Sequence, residues 1–229
     1  MFLPLKDHNP LRIIPFQVVT VSIIVACVGV FVWQASLSED ASDVFILGYG
    51  AIPAVLFEVR ALSPELIRVP AEATLITSMF LHGSWWHLIG NILYLWVFGD
   101  NIEDSMGHRR FVAFYLITGI VAALTHAVMD PESATPMVGA SGAISGVMGA
   151  YLVLHPRVKV LALIFNRIPV RLPAYVLLVG WIVFQLFNAY GSGGSTAWWA
   201  HIGGFFAGVV LIVPFRYKTV PLFDRNRPD

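Results

Sequence analysis

Apolar runs of roughly 15 to 20 residues, separated by short polar turns, dominate the chain. They fall at 15–34, 80–99, 111–129, 141–155, 173–190 and 198–215. A crossing helix needs about 20 mostly apolar residues and must satisfy its own backbone hydrogen bonds. The runs therefore predict an all-α polytopic membrane protein, a bundle of six transmembrane helices. The run at 141–155 is short, which predicts a helix that starts below the membrane surface. "ESATPM" and "GSGGST" read as tight polar turns. Residues 35–79, with "VFILGYGAIPAVLF", are too broken to span and predict a long outer loop with small helices at the membrane surface. "LALIF" at Leu161–Phe165 is a weaker case of the same kind. The first run follows basic residues, as in a signal peptide. It is long, however, and no small-residue cleavage site follows closely, so it reads as a retained span. The organisation is a short N-terminus at 1–14, a membrane domain at 15–215 and a short tail at 216–229. No internal repeat is visible, which gives an inverted-repeat transporter no support.

Composition strengthens this reading. The 229 residues are 57% hydrophobic and 12% charged, about half the charge of a soluble domain. The formal net charge is zero, so nothing points to nucleic acid as a partner. Cys27 is the only cysteine, which excludes a disulfide within the chain and a cysteine metal cluster.

Basic residues set the orientation. With the N-terminus inside, six spans leave only Arg60 and Arg68 outside, and every other Lys and Arg falls inside. Both termini are then cytoplasmic, in a membrane that obeys the positive-inside rule, most simply a bacterial inner membrane.

Polar side chains in a membrane are costly, so their depth is informative. Under this topology Ser141, His201, His87 and Asn91 lie on three separate spans near the outer face, at similar depth. His87 and Asn91 are four apart and share a helix face. Taken singly, each has a bland explanation. Serine beside glycine packs membrane helices, and histidines beside Trp85 and Trp86 suit an interface. Gly142 and Gly146 form a small ridge on one span, and Gly204 and Gly208 form another on the last. Two such ridges let spans approach closely enough for Ser141 to meet His201. Histidine can then take the serine proton and later give it to a leaving amine. His87, the Asn91 amide and the Ser141 backbone N–H are the donors available to an oxyanion. No carboxylate lies on the outer side of these spans, so the arrangement predicts a Ser–His dyad rather than a triad. His82 and His87 are badly spaced for a metal, and no metal or other cofactor is expected. "GASG" at 139–142 is not a hydrolase elbow, which needs glycine two residues after the serine where Ala143 stands.

These motifs together, in order and on separate spans, resemble the rhomboid family of intramembrane serine proteases, in its six-span bacterial form. The resemblance runs from the first span to Phe215 and is clearest from Phe80 onward. It implies Ser141 in "GASG", which opens with Gly139, as nucleophile and His201 in "AHIGGFFAG" as general base. It implies His87 and Asn91 in "HLIGN" as oxyanion-side residues and His82 as a further histidine of that motif. Gly142, Gly204 and Gly208 become close-packing glycines. Glu103 and Gly107 in "NIEDSMG" resemble a structural motif after the second span. The resemblance also implies transmembrane proteins as substrates, cut near the outer membrane face. Two departures stand out. Some members carry a tyrosine one turn after the nucleophile that packs on the base, and here that position is Ser145. Some carry a Trp–Arg pair in the first outer loop, and residues 35–79 contain no tryptophan.

Two other functions remain open from sequence. A catalytically inactive relative that binds membrane proteins would share the fold, and a small transporter would also cluster polar residues.

Overall fold

The computed structural model describes residues 2–164, 167–191 and 197–224. Most of the "GSGGST" turn, Phe165 of "LALIF", and Arg225 and Arg227 lie outside the described residues.

Small and apolar side chains around the whole circumference of 141–154 leave that segment no polar face, so it is surrounded by protein. It forms the central helix, α7 (Ser141–Leu154), and every residue of it except Ser141 and Leu152 is buried. In chain order the other helices are α1 (Val18–Ala35), α2 (Glu39–Tyr49), α3 (Pro53–Leu56), α4 (Thr74–Thr77), α5 (Trp85–Met106), α6 (His108–Met129), α8 (Ala174–Gly191) and α9 (Trp198–Phe215). α9 and α6 pack most extensively on α7, with α5 beside them and α1 against α5.

The span count is corrected here. Among the described residues, four helices are long and apolar enough to cross a membrane by length and composition: α1, α6, α8 and α9. The six-span bacterial form is thus not what this structure supports. At 14 residues α7 is about 21 Å long, well short of a hydrocarbon core. Its jacket of protein removes any need to reach both surfaces. α5 has the length, but His87, Asn91, Asp100, Asn101, Glu103 and Asp104 dilute its apolar character.

Glycines set the distance between α7 and α9. A Cβ built on Gly204 would overlap the Gly142 carbonyl oxygen, and one on Gly208 would overlap that of Gly146. In return, a Cβ on Gly149 would overlap the Phe205 carbonyl. The two helices therefore meet backbone to backbone, where any side chain would hold them apart.

The far end of α5 anchors the N-terminal segment. Glu103, fully buried, accepts hydrogen bonds from Val19 N (2.9 Å), Thr20 N (2.8 Å) and Thr20 Oγ1 (2.7 Å). It thereby satisfies orphan donors at the start of α1, which has no side-chain cap of its own. Asp104 accepts from the backbone N–H groups of Arg12, Ile13 and Ile14 at 2.7 to 3.0 Å. Gly107 then turns the chain into α6 with φ +78°, under the Tyr217 ring.

A small antiparallel sheet of order β1-β2-β3 lies at the C-terminal end of α7. It comprises β1 (Phe2–Asp7), β2 (Lys159–Ile164) and β3 (Ile168–Pro173). Tyr94 OH donates to the Phe2 carbonyl, and Tyr151 OH donates to Asp7 Oδ2 at 2.5 Å. Leu161–Ile164 are thus strand, not a surface helix. They are the middle strand, paired on one side with the neighbouring β3 and on the other with β1, some 150 positions earlier, which local periodicity cannot reveal.

Residues 35–79 fold as α2, α3, α4 and three single 3₁₀ turns. They brace the loop that leads to α7. Ala51 and Met137 exchange both backbone hydrogen bonds, Ala54 N donates to the Ser133 carbonyl, and Gly139 N donates to the Ser78 carbonyl.

Two stability outcomes follow from this packing. Gly208→Val drives a side chain into the α7 backbone and should abolish the monodisperse folded peak in thermal size-exclusion assays in detergent. Gly180→Ala meets nothing within 4 Å and should leave the midpoint unchanged or higher. Equal midpoints for the two would refute the close contact. Glu103→Ala strands three donors and should cost at least about 2 kcal/mol by the same assay; an unchanged midpoint would show that the clamp is idle.

Candidate active site

Ser141 is the first residue of α7, and His201 sits in the first turn of α9. The close helix contact carries them together: Ser141 Oγ lies 2.9 Å from His201 Nε2. The N-terminal end of α7 has no side-chain cap, so the Ser141 N–H is one of the helix's orphan donors. Those donors and the helix dipole favour negative charge at this point.

Both residues line a recess of about 660 Å³. His87 and Asn91 from α5 line it as well. Asn91 is buried, and its Nδ2 has no partner among the described residues. The His87 ring is held from one side, where Nδ1 accepts from Gly83 N at 3.5 Å, a long bond. Gly139, at φ +120°, lets the loop pass under this ring; a Cβ there would sit 2.6 Å from His87 Cε1. Four of the sequence candidates, on three helices, therefore share one recess.

His82 does not join them. It is fully buried, with its ring against Phe31 and His87. Burial, and then the neighbouring His87, push its pKa down to about 4, so the ring is neutral at neutral pH. Glu103 and Gly107 are at the opposite end of α5, in the anchor described above. Among the described residues no group of three or more His, Cys, Asp and Glu side chains has the arrangement of a metal site.

Sequence reasoning missed the surroundings of His201. Its Nδ1 lies 2.8 Å from Gln185 Oε1 on α8. The Trp181 and Trp198 rings flank it at centroid separations of 5.8 and 6.3 Å. Ser145, one turn after Ser141, donates to the Ser141 carbonyl at 2.6 Å and does not reach the ring. The signal for Gln185 was available: it is a buried polar side chain in an otherwise apolar span, which is costly unless partnered. Nothing local distinguishes Trp181 from a lipid-facing aromatic. His126 on α6 also lines the recess, and it too was not singled out.

These features define a helical integral membrane protein with a polar recess built around a serine–histidine contact. Residues 70–218 match the rhomboid domain, and the chain belongs to the rhomboid family. It is 32% identical over 147 residues to rhomboid protein 1, mitochondrial, of Saccharomyces cerevisiae, covering 62% of this chain and 41% of that protein. It is 30% identical over 197 residues to the presenilin-associated rhomboid-like protein, mitochondrial, of Mus musculus, covering 79% and 50%. Rhomboid protease GluP of Bacillus subtilis is 30% identical over 199 residues, covering 79% and 37%. The chain thus spans half or less of the length of these relatives.

Proposed function

We propose that the chain is an intramembrane serine endopeptidase that hydrolyses peptide bonds in or near transmembrane segments of membrane proteins. The observation that carries this reading is the 2.9 Å contact between Ser141 Oγ and His201 Nε2 inside a recess of a membrane protein. Rhomboid membership, and a relative that is itself named a protease, support it.

In this reading Nε2 of His201 takes the hydroxyl proton as Oγ bonds to the scissile carbonyl carbon. The carbonyl oxygen becomes an oxyanion facing the Ser141 N–H, the Asn91 amide and His87. Collapse breaks the C–N bond, and the imidazolium returns its proton to the departing amine. Water, deprotonated by the same nitrogen, then attacks the acyl ester and releases the serine. No cofactor takes part. The unpartnered Asn91 donor fits this role, because a donor left open in the resting state needs no reorganisation when charge develops.

Charge supports a recess on the outer face; the membrane in this reading is a bacterial inner membrane, the simplest one that obeys the positive-inside rule. α7 begins at Ser141 and is followed by Arg157 and Lys159; α9 begins beside His201 and is followed by Arg216 and Lys218. α6 opens with Arg109 and Arg110 and runs toward Asp130. The basic ends of three helices thus lie opposite the recess, as the positive-inside rule requires of the cytoplasmic side.

The test is cleavage of a panel of single-span substrates in liposomes. Ser141→Ala and His201→Ala should each fall at least about 1,000-fold while remaining folded. Wild-type rates in both variants would refute the reading. Asn91→Ala should lower turnover by about 100-fold yet leave the thermal midpoint level or higher, because it removes a buried unsatisfied donor. Equal losses of stability and activity would instead make Asn91 a structural residue.

A further inference from the structure

We propose that Gln185 is a positioning residue that holds the proton of neutral His201 on Nδ1 and so keeps Nε2 free to accept from Ser141; this rests on the Ser141–His201 reading above. The geometry is direct. Gln185 is buried on α8, one turn after Trp181, and its Oε1 lies 2.8 Å from His201 Nδ1. With its amide oxygen turned to the ring, Gln185 can only accept, so in this arrangement Nδ1 carries the hydrogen. Neutral imidazole has a single N–H, which leaves Nε2 bare, and Nε2 is the atom 2.9 Å from Ser141 Oγ.

α8 supplies two constraints on the same ring. Trp181 packs on it at 40° to its plane, and Gln185 fixes its proton. Together with Trp198 they occupy the role left open by Ser145. The partner is neutral, which distinguishes the site from one oriented by a carboxylate. The titratable groups near the His201 ring are His87 from α5 and His126 from α6, with Asp130 also lining the recess. Among the described residues no carboxylate hydrogen-bonds to the ring.

The tautomer assignment makes a charged replacement informative. Gln185→Glu keeps an acceptor oxygen but adds a negative charge that favours imidazolium, so His201 should lose its base form at higher pH than in wild type. Gln185→Met keeps the bulk and removes the acceptor, so either tautomer can form.

The experiment is a pH profile of single-span substrate cleavage, from pH 5 to 9, for wild type, Gln185→Glu, Gln185→Met and His201→Ala. Gln185→Met should cleave about 10- to 100-fold more slowly across the range. Gln185→Glu should move the acid limb up by about one pH unit or more, with activity largely recovered on the alkaline side. The position of that limb does not depend on how much of the sample is folded, so poor yield cannot mimic the result. If His201→Ala cleaves like wild type, the dyad reading fails and this inference with it. If His201→Ala is silent while the Gln185→Glu limb stays in place, the dyad stands and the Gln185 assignment is overturned.

Discussion

The backbone contact between α7 and α9 governs the rest of this structure. Ser141 and His201 are 60 positions apart in sequence, and their side chains are short. They reach one another only because Gly204 and Gly208 lie on the carbonyls of Gly142 and Gly146, and Gly149 lies on that of Phe205. In a membrane no hydrophobic driving force pulls helices together, so close van der Waals approach between small residues must supply the association. The same approach buries α7 almost completely. A buried helix can be short, and a short helix can begin inside the protein, where a polar recess can lie against its open N-terminus.

The recess is held between two rigid ends. On its own side, residues 51–54 and 78 bind the loop that carries Gly139 toward α7, so the chain arrives in a fixed position beneath His87. At the other end, Glu103 and Asp104 anchor the chain before and within the start of α1, and the small sheet ties the N-terminal strand to α5 and α7. The acidic residues that dilute α5 as a membrane span are thus the ones that fasten it to its neighbours. The polar character that keeps α5 out of the helices apolar enough to cross by composition is structural at one end and lines the recess at the other.

The residues that share the recess are easier to pick out in the sequence than the architecture is. Serine, histidine and asparagine stand out against apolar surroundings, and paired glycines four apart mark a helix contact on each of two segments. These signals are local, and each one is visible in a window of a few residues. Span number is not local. Whether a 14-residue apolar helix crosses a bilayer depends on what surrounds it, and the jacket formed by α5, α6 and α9 around α7 lies outside any such window. The strand pairing of Leu161–Ile164 is hidden for a similar reason, since one of its two partner strands, β1, comes from the opposite end of the chain, while the other is the neighbouring β3. Gln185 lay between these cases. Its polarity was visible, but its value depended on α8 turning that one side chain toward α9.

The central claim is that this helix contact creates a serine activated by His201. Treatment of the purified protein with a fluorophosphonate, followed by mass spectrometry of its peptides, tests this most directly. The account predicts one adduct, on Ser141, absent when His201 is replaced by alanine. A folded protein in which Ser141 stays unmodified, or is modified equally well without His201, would contradict it.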